Sequence, residues 1–391
     1  MKQNIKNIKE TDLVYGSMIL IPLSTLLQGY ISLINQGLIA VIFVAYFLNI
    51  IQSGIRKKGL YSLMYVFVCI CIAFLGSEFA GHVTGLRRLI YFPFMIFTYY
   101  IIIGEHKKCI KFFKEHKKLV DGVLNIWTIL VGISIFIPSC YSDTEGWGSF
   151  KYFYSFTVEG GARLGGMTLL IMTMILMQMV VWQNKKYIYY FIVPLYTIFM
   201  CGSRIYLVLG LIEFVVAFYL FLNNKKYFWY MVIPLGVILV SIAFSTALGS
   251  KLESVQYTEN SIHNIYDTVS NGRFTPIIDG AKRFIEEPVV RKVFGNGYGF
   301  IEDEMHHWAF NDYIDIGLVF GVFGLLIYGY WVHQSTKLLK KSKLPWYMLF
   351  AQWCCWLVLA MFGMYYRITT AVIAIPFAYL ACYAWKKEEN K

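Results

Sequence analysis

LGGMTLLIMTMILMQMVVW, residues 164–182, has no charged side chain in nineteen positions. About 20 mostly apolar residues in a helix are enough to cross the hydrocarbon core of a bilayer. Similar apolar runs recur along all 391 residues, and the chain is 58% hydrophobic and only 15% charged, against about 25% charged in soluble domains. The runs are continuously apolar rather than alternating, which favours helices over strands. The sequence therefore predicts an all-α, polytopic transmembrane helical bundle.

Working outward from this run, the hydropathy predicts twelve spans. They lie at about 13–33, 36–52, 60–77, 88–103, 119–138, 164–182, 187–201, 205–222, 228–248, 311–332, 346–364 and 369–385. Lysine-rich stretches such as GIRKKG (54–59) and STKLLKKSK (335–343) fall in every second connection and at both termini. Basic residues in short connections mark the cytoplasmic side. We therefore expect both termini in the cytoplasm, as in a multi-pass protein of a cytoplasmic membrane.

One connection is much longer than the others and divides the chain. The predicted parts are nine spans in 1–248, a long periplasmic or extracellular loop in 249–310, and three spans with a cytoplasmic tail in 311–391. Within the loop, TPIIDGAKRFIEE (275–287) has helical spacing of its apolar residues, which predicts an amphipathic helix. Pro288 ends this helix, and we interpret GNGYG (295–299) as a turn rather than a phosphate loop, because no strand precedes it.

Lysine and arginine are distributed differently between the two predicted sides. Of 26 lysines, 22 lie inside, whereas 8 of 9 arginines lie outside. The positive-inside rule does not distinguish the two residue types in this way. A guanidinium is planar and binds phosphate or carboxylate with two hydrogen bonds. We interpret the outer arginines as an anion site at the membrane surface. The alternative is that they reach lipid headgroups or pair with the many outer carboxylates. The net charge of +12 arises from these two sets, so nucleic acid is not an expected partner.

The stretch HHWAFNDYIDIGLVFGVFGLL (306–326) carries polar side chains directly into an apolar run. If residues 307–332 form one helix, His307, Asn311 and Asp315 are spaced i, i+4, i+8 and form a polar stripe. An intramembrane carboxylate is a functional candidate, and a histidine or aspartate there could accept a proton from a sugar hydroxyl. The alternative is that His307 caps the helix and Asp315 pairs with an arginine for structural reasons. The small-residue spacing of Gly317 and Gly321 indicates close helix packing.

Four stretches in order give the chain a resemblance to the superfamily of O-antigen polymerases and O-antigen ligases. They are GGARLGGMTLL (160–170), MCGSRIYLVLGLI (200–212), NGRFTPIIDGAKRFIEEPVVRKVFGNGYG (271–299) and FNDYIDIGLVFGVFGLL (310–326). The resemblance covers about 160–330, and the first five spans match only in hydropathy. The family usually has histidine directly before the asparagine, whereas this chain has Phe310 before Asn311. His307 is nearby, and Asp312 or Asp315 is the alternative base.

The resemblance implies a metal-independent glycosyltransferase of the bacterial inner membrane that needs no cofactor. Its donor is an oligosaccharide on undecaprenyl pyrophosphate, and its expected partners include membrane lipids and a flippase and a chain-length regulator of the same pathway. The expected pyrophosphate ligands are Arg204 and Arg273, then Arg163 and Arg291. His307, Asn311 and Asp315 would position or deprotonate the acceptor, and Arg273 would also stabilise charge on the leaving group.

Several alternatives to this expectation stay open. Within the family, a polymerase extends a chain of repeat units, whereas a ligase transfers the finished glycan to lipid A core. FNDYID (310–315) lacks the ligase-like histidine–asparagine pair, which favours a polymerase. A flippase for a lipid-linked oligosaccharide should show related halves and charges along a central path. Here the deep charge is sparse, with Glu213 the clearest, and the halves do not look alike. A scaffolding role leaves the outer arginines without an explanation.

Overall fold

The computed structural model describes residues 10–27, 32–53, 91–142, 151–157, 161–222, 225–230, 273–297 and 311–388, with short pieces at 64, 67–68, 232–234, 236–237, 300–301, 305 and 307–310. The helices are α1 Glu10–Leu26, α2 Ser32–Ser53, α3 Tyr91–Tyr99, α4 His106–Glu115, α5 Lys117–Ser134, α6 Gly161–Val181, α7 Ile192–Met200, α8 Arg204–Phe221, α9 Phe274–Glu286, α10 Val289–Phe294, α11 Asp312–Leu339, α12 Trp346–Phe362 and α13 Thr369–Glu388. Two-residue strands β1 (Tyr141–Ser142) and β2 (Tyr152–Phe153) pair antiparallel.

Among the described residues, three helices are long and apolar enough to cross a membrane, namely α6, α8 and α11. The apolar stretches of the other helices are 10–17 residues long, and they include parts of α1, α12 and α13. The helical class is thus confirmed, and the apolar helices suggest membrane association, whereas the full set of twelve spans stays a prediction. The predicted spans at 60–77 and 228–248, and residues 249–272 of the loop, lie largely outside the described residues.

Helix α6 lies at the centre and is buried along its whole apolar length. Small residues let its neighbours approach closely, as is usual between membrane helices. A Cβ atom on Gly165 would lie 2.5 Å from the Tyr206 ring of α8, and one on Gly166 would lie 2.8 Å from the Thr370 hydroxyl of α13. Gly165 and Gly166 are therefore the packing contacts of α6 with two other helices.

The described helices have one end rich in arginine and another rich in lysine. The start of α6 at Gly161 abuts the Cys201 carbonyl that precedes α8, and the start of α11 contacts the α12–α13 connection through a hydrogen bond from the Tyr366 amide to Asp312. We call this the arginine end. Lysines follow α6, α8 and α11 at their opposite ends, as the sequence shows at Lys185, Lys225 and Lys340. The predicted grouping of these helix ends agrees with the structure, and the side of the membrane that each end faces stays a prediction.

The amphipathic helix predicted at 275–287 is confirmed as α9. Its small and aromatic residues pack on α11: Gly280 faces Ile314, and the Phe284 ring lies against Gly317. The stretch GEHKKCIKFFKEHKK (104–118), between the predicted spans at 88–103 and 119–138, contains helix α4. Phe112 and Phe113 of α4 are buried, so apolar residues within this basic stretch anchor it to the bundle.

Helix α11 is broken at Gly321, which has φ 67° and ψ −167°. At the break, the carbonyls just before Gly321 lose the amide donors that a continuous helix would provide. Amides of the segment that follows α10 take their place. The amides of Asn296 and Gly297 donate to the carbonyls of Leu318 and Val319, at 2.7 and 3.1 Å. Residues 295–297, within the segment predicted as a turn, therefore serve as a backbone dock for α11, and Tyr298 and Gly299 lie outside the described residues.

Candidate functional site

Arg273 lies directly before α9 and joins three parts of the arginine end. Its guanidinium donates a hydrogen bond to the Phe362 carbonyl at the end of α12 and lies over the Phe310 ring, 5.3 Å from the ring centre. Burial lowers the pKa of Arg273, and the positive charge of Arg204 lowers it further. The two guanidinium groups are therefore close enough to repel each other.

Arg204 begins α8 and is partly covered by the segment that precedes α6. Gly202, with φ 69°, has no room for a side chain because the Tyr152 ring of β2 packs against it. Burial raises the pKa of Tyr152 to about 12, and the positive charge of Arg204 opposes this shift. The pairing of β1 with β2 thus holds an aromatic ring next to an arginine.

Arg367, in the α12–α13 connection, is the third arginine of the site at the arginine end. Its guanidinium lies 3.6 Å from the centre of the Trp308 ring, and its charge acts on Asp315. Stacking on an aromatic face is a favourable arrangement for arginine. The segment 307–310 is consequently held between Arg273 on Phe310 and Arg367 on Trp308.

The prediction of a single helix over 307–332 is wrong. Phe310 has φ 56° and Asn311 is extended, so α11 begins only at Asp312. Asn311 caps the helix, because its side-chain oxygen accepts from the amides of Tyr313 and Ile314 at 3.0 and 3.3 Å. The chain reverses before the cap, and His307, Asn311 and Asp315 therefore do not form one helical stripe.

The individual candidates of that stripe have different surroundings. Asp315 is fully buried, and one of its oxygens accepts from the Ala309 amide at 3.0 Å. Its Oδ2 and the Nδ1 atom of His307 are buried and have no hydrogen-bond partner among the described residues. Asn311 also donates from its side-chain nitrogen to the Met361 carbonyl at 3.4 Å. Its side-chain amide therefore joins the start of α11 to the end of α12.

Asp312, beside the cap, is buried in a network that the helical-stripe interpretation did not include. Its Oδ2 accepts from the Tyr328 hydroxyl at 2.9 Å and from the Tyr366 amide at 3.3 Å. The Tyr328 oxygen in turn accepts from the Trp356 indole at 3.0 Å. Asp312 thereby fixes the α12–α13 connection, which carries Arg367. The signal in the sequence was the first carboxylate of FNDYID, directly after Asn311.

The remaining arginine candidates are not part of this cluster to the same degree. Arg291 lies 3.7 Å from Glu287, a buried carboxylate that Arg283 also approaches at 3.2 Å. This arrangement favours the structural alternative for Arg291. Arg163 is exposed near the start of α6, at the arginine end. No sequence pattern indicated the packing of Tyr152 and Trp308 beside arginines, because both contacts depend on tertiary structure.

The fold and this site define a helical protein with arginines and aromatic rings gathered at one end of apolar helices, three of which in the described chain are long enough to cross a membrane. Comparison with protein-family models, with curated proteins and with solved structures gave no match. The functional argument therefore rests on the chemistry of the site itself.

Proposed function

We propose that the protein is a polysaccharide polymerase that acts at the outer face of a bacterial inner membrane. In this proposal it transfers glycan from an undecaprenyl pyrophosphate donor to a sugar hydroxyl. The observation that carries the proposal is the approach of Arg204 to Arg273, with Arg367 across the 307–310 segment. Partly buried guanidinium groups repel each other, and a bound polyanion would remove this repulsion.

A lipid pyrophosphate matches this arrangement in charge and position. Phosphate oxygens accept paired hydrogen bonds from guanidinium groups. Because Arg204 begins a helix of membrane-spanning length and composition, a ligand there would sit at headgroup level while its lipid tail stays in the bilayer. Preorganised cations at this position would stabilise the charge that develops on the departing pyrophosphate.

The reaction can be assigned to atoms of this site. The acceptor hydroxyl oxygen forms a bond to the anomeric carbon of the donor, and the bond from that carbon to the phosphate oxygen breaks. The pyrophosphate leaves with the electron pair, held by Arg204 and Arg273. The hydroxyl proton goes to Asp315 or His307, each of which has a buried acceptor atom. Asn311 acts by fixing the helix start that carries Asp315.

The proposal is tested first by deleting the gene and separating the surface polysaccharide by gel electrophoresis. Loss of a polymerase leaves single repeat units attached to the surface acceptor. Loss of a ligase leaves long lipid-linked chains and none attached, and loss of a flippase leaves neither. Only the first outcome supports the proposal.

The anion site is tested by replacing Arg273 with alanine and, separately, with lysine. We expect short or absent polymer with alanine and partial activity with lysine, which keeps the charge but not the paired hydrogen bonds. Arg283→Ala is the matched control, because Arg283 lies on α9, which Arg273 directly precedes, but contacts Glu287 instead. Normal polymer in both Arg273 variants, at wild-type protein levels, would show that this arginine does not bind the donor.

A further inference from the structure

The α9–α10 hairpin, residues 274–294, exposes apolar side chains although it is not a membrane span. Ile285, Val289 and Val290 are 69%, 74% and 70% exposed, and Phe294 is 53% exposed. These residues lie at the end of α9 and along α10, whereas Gly280, nearer the middle of α9, packs on α11. A cluster of exposed apolar residues marks a contact surface for lipid or protein.

The position of the hairpin along α11 is fixed by its backbone dock. Gly295 packs against the carbonyl of Val319, about 10 Å along α11 from its start at Asp312 at 1.5 Å per residue. Lys337, in the last turn, lies about 27 Å further along by the same spacing. Since a hydrocarbon core is about 30 Å thick, a bilayer whose lysine-side boundary is at Lys337 has its other boundary close to Val319.

The exposed apolar surface of the hairpin is continuous with that of α11. The backbone of Val293 packs directly on Gly321, and Val293 and Phe294 are themselves exposed. Immediately beyond Gly321, Val322 and Leu326 of α11 are 42% and 67% exposed. These positions on a membrane-length helix face lipid, so the tip of the hairpin extends the same surface.

The charge of the hairpin region also favours an anionic membrane surface. Residues 273–297 contain five basic and three acidic side chains. Arg283 and Arg291 are paired with Glu287, whereas Lys282 is exposed and Lys292 is half-buried. A segment with an apolar face and lysines beside it lies in the interface between headgroups and acyl chains, and long lysine side chains reach the phosphates.

We propose that the α9–α10 hairpin is an interfacial membrane element. Its exposed apolar residues, Val290 among them, enter the acyl-chain boundary of the lipid leaflet at the arginine end. Its partner is the anionic phospholipid surface. Non-helical backbone is tolerated at membrane depth only where protein satisfies its polar groups. The Asn296 and Gly297 amides meet this condition, because they donate to the α11 carbonyls. This inference does not depend on the proposed glycosyl transfer.

The test uses the full-length protein in vesicles of phosphatidylglycerol and phosphatidylethanolamine. A nitroxide is attached to Val290→Cys and, as the matched control, to Asp279→Cys, an exposed position earlier in the same hairpin. The accessibility of each label to oxygen, which concentrates in acyl chains, is compared with its accessibility to a water-soluble nickel complex. The unsubstituted protein gives the background signal of the native cysteines.

We expect the oxygen-to-nickel ratio at position 290 to be shifted clearly above that at position 279. A label at 290 that is more accessible to nickel than to oxygen would place the hairpin in water and overturn the proposal. Protection from both reagents would also overturn it, because it would show that protein and not lipid covers the hairpin. Neither result would affect the polysaccharide phenotype of the deletion strain.

Discussion

Replacing Gly321 with alanine should undock the hairpin from α11. At φ 67° and ψ −167°, a residue with a Cβ atom costs about 1–3 kcal/mol. The new Cβ atom would overlap the backbone of Val293 and lie 2.7 Å from the Gly295 amide nitrogen, so the dock must open. The two hydrogen bonds from Asn296 and Gly297 are then lost, at about 0.5–1.5 kcal/mol each. The total is about 2–6 kcal/mol.

The free energy of unfolding in mixed micelles, from a detergent titration, measures this loss. Gly329→Ala is the matched control, because it lies on the same helix and a Cβ atom there meets nothing within 4 Å. That variant should be as stable as the wild type or more stable by about 0.5–1 kcal/mol, since alanine is favoured over glycine within a helix. If Gly321→Ala proves as stable as Gly329→Ala, the break in α11 is not held by the dock and the reasoning fails.

Substitutions in three further places, at Asp312, at Glu213 with its partner, and at Gly161, test other parts of the structure. Asp312→Asn keeps an acceptor for the tyrosine hydroxyl and the backbone amide and should retain most of its polymer, whereas Asp312→Leu should lose it. Similar gel profiles for the two variants would argue against a positioning role. Glu213→Leu should lower the free energy of unfolding by about 1–3 kcal/mol, because it leaves the buried amide of Gln352 without its partner at 3.0 Å. Adding Gln352→Leu should restore much of this loss, and a detergent titration of both variants measures the difference. Gly161→Ala should lower the thermal stability, because its Cβ atom would overlap the carbonyl that precedes α8, whereas Gly122→Ala, with nothing within 4 Å, should not.

Several elements of the fold were predictable because their signals are local. The uncharged run at 164–182 predicted α6, and the spacing of apolar residues in TPIIDGAKRFIEE predicted α9. Asn311 before an acidic and apolar run is a typical cap signal, and it marks the true start of α11. The prediction of a longer helix gave priority to the spacing of His307, Asn311 and Asp315 over this signal.

Other features could not be predicted, because tertiary contacts decide them. GLVFGVFGLL (317–326) contains three glycines, and all of them are compatible with a continuous helix. The helix is broken only at Gly321, because the segment that follows α10 occupies the space beside it. The stacking of Arg367 on Trp308 depends in the same way on residues 59 positions apart in the sequence. The left-handed conformation of Phe310 has no local signal, since phenylalanine rarely adopts it.

The backbone dock at 295–297 precedes α11 in the chain, and this order has a consequence for biogenesis. The turn at 295–297 is synthesised before the helix whose carbonyls it satisfies. If the 249–310 segment is exported as we propose, the broken part of α11 therefore meets, during insertion, amide donors that have already crossed to the same side. A chain in which translocation of the turn was delayed would leave carbonyl groups without donors in lipid, at a cost of several kcal/mol each. Export of the hairpin should thus precede stable insertion of α11.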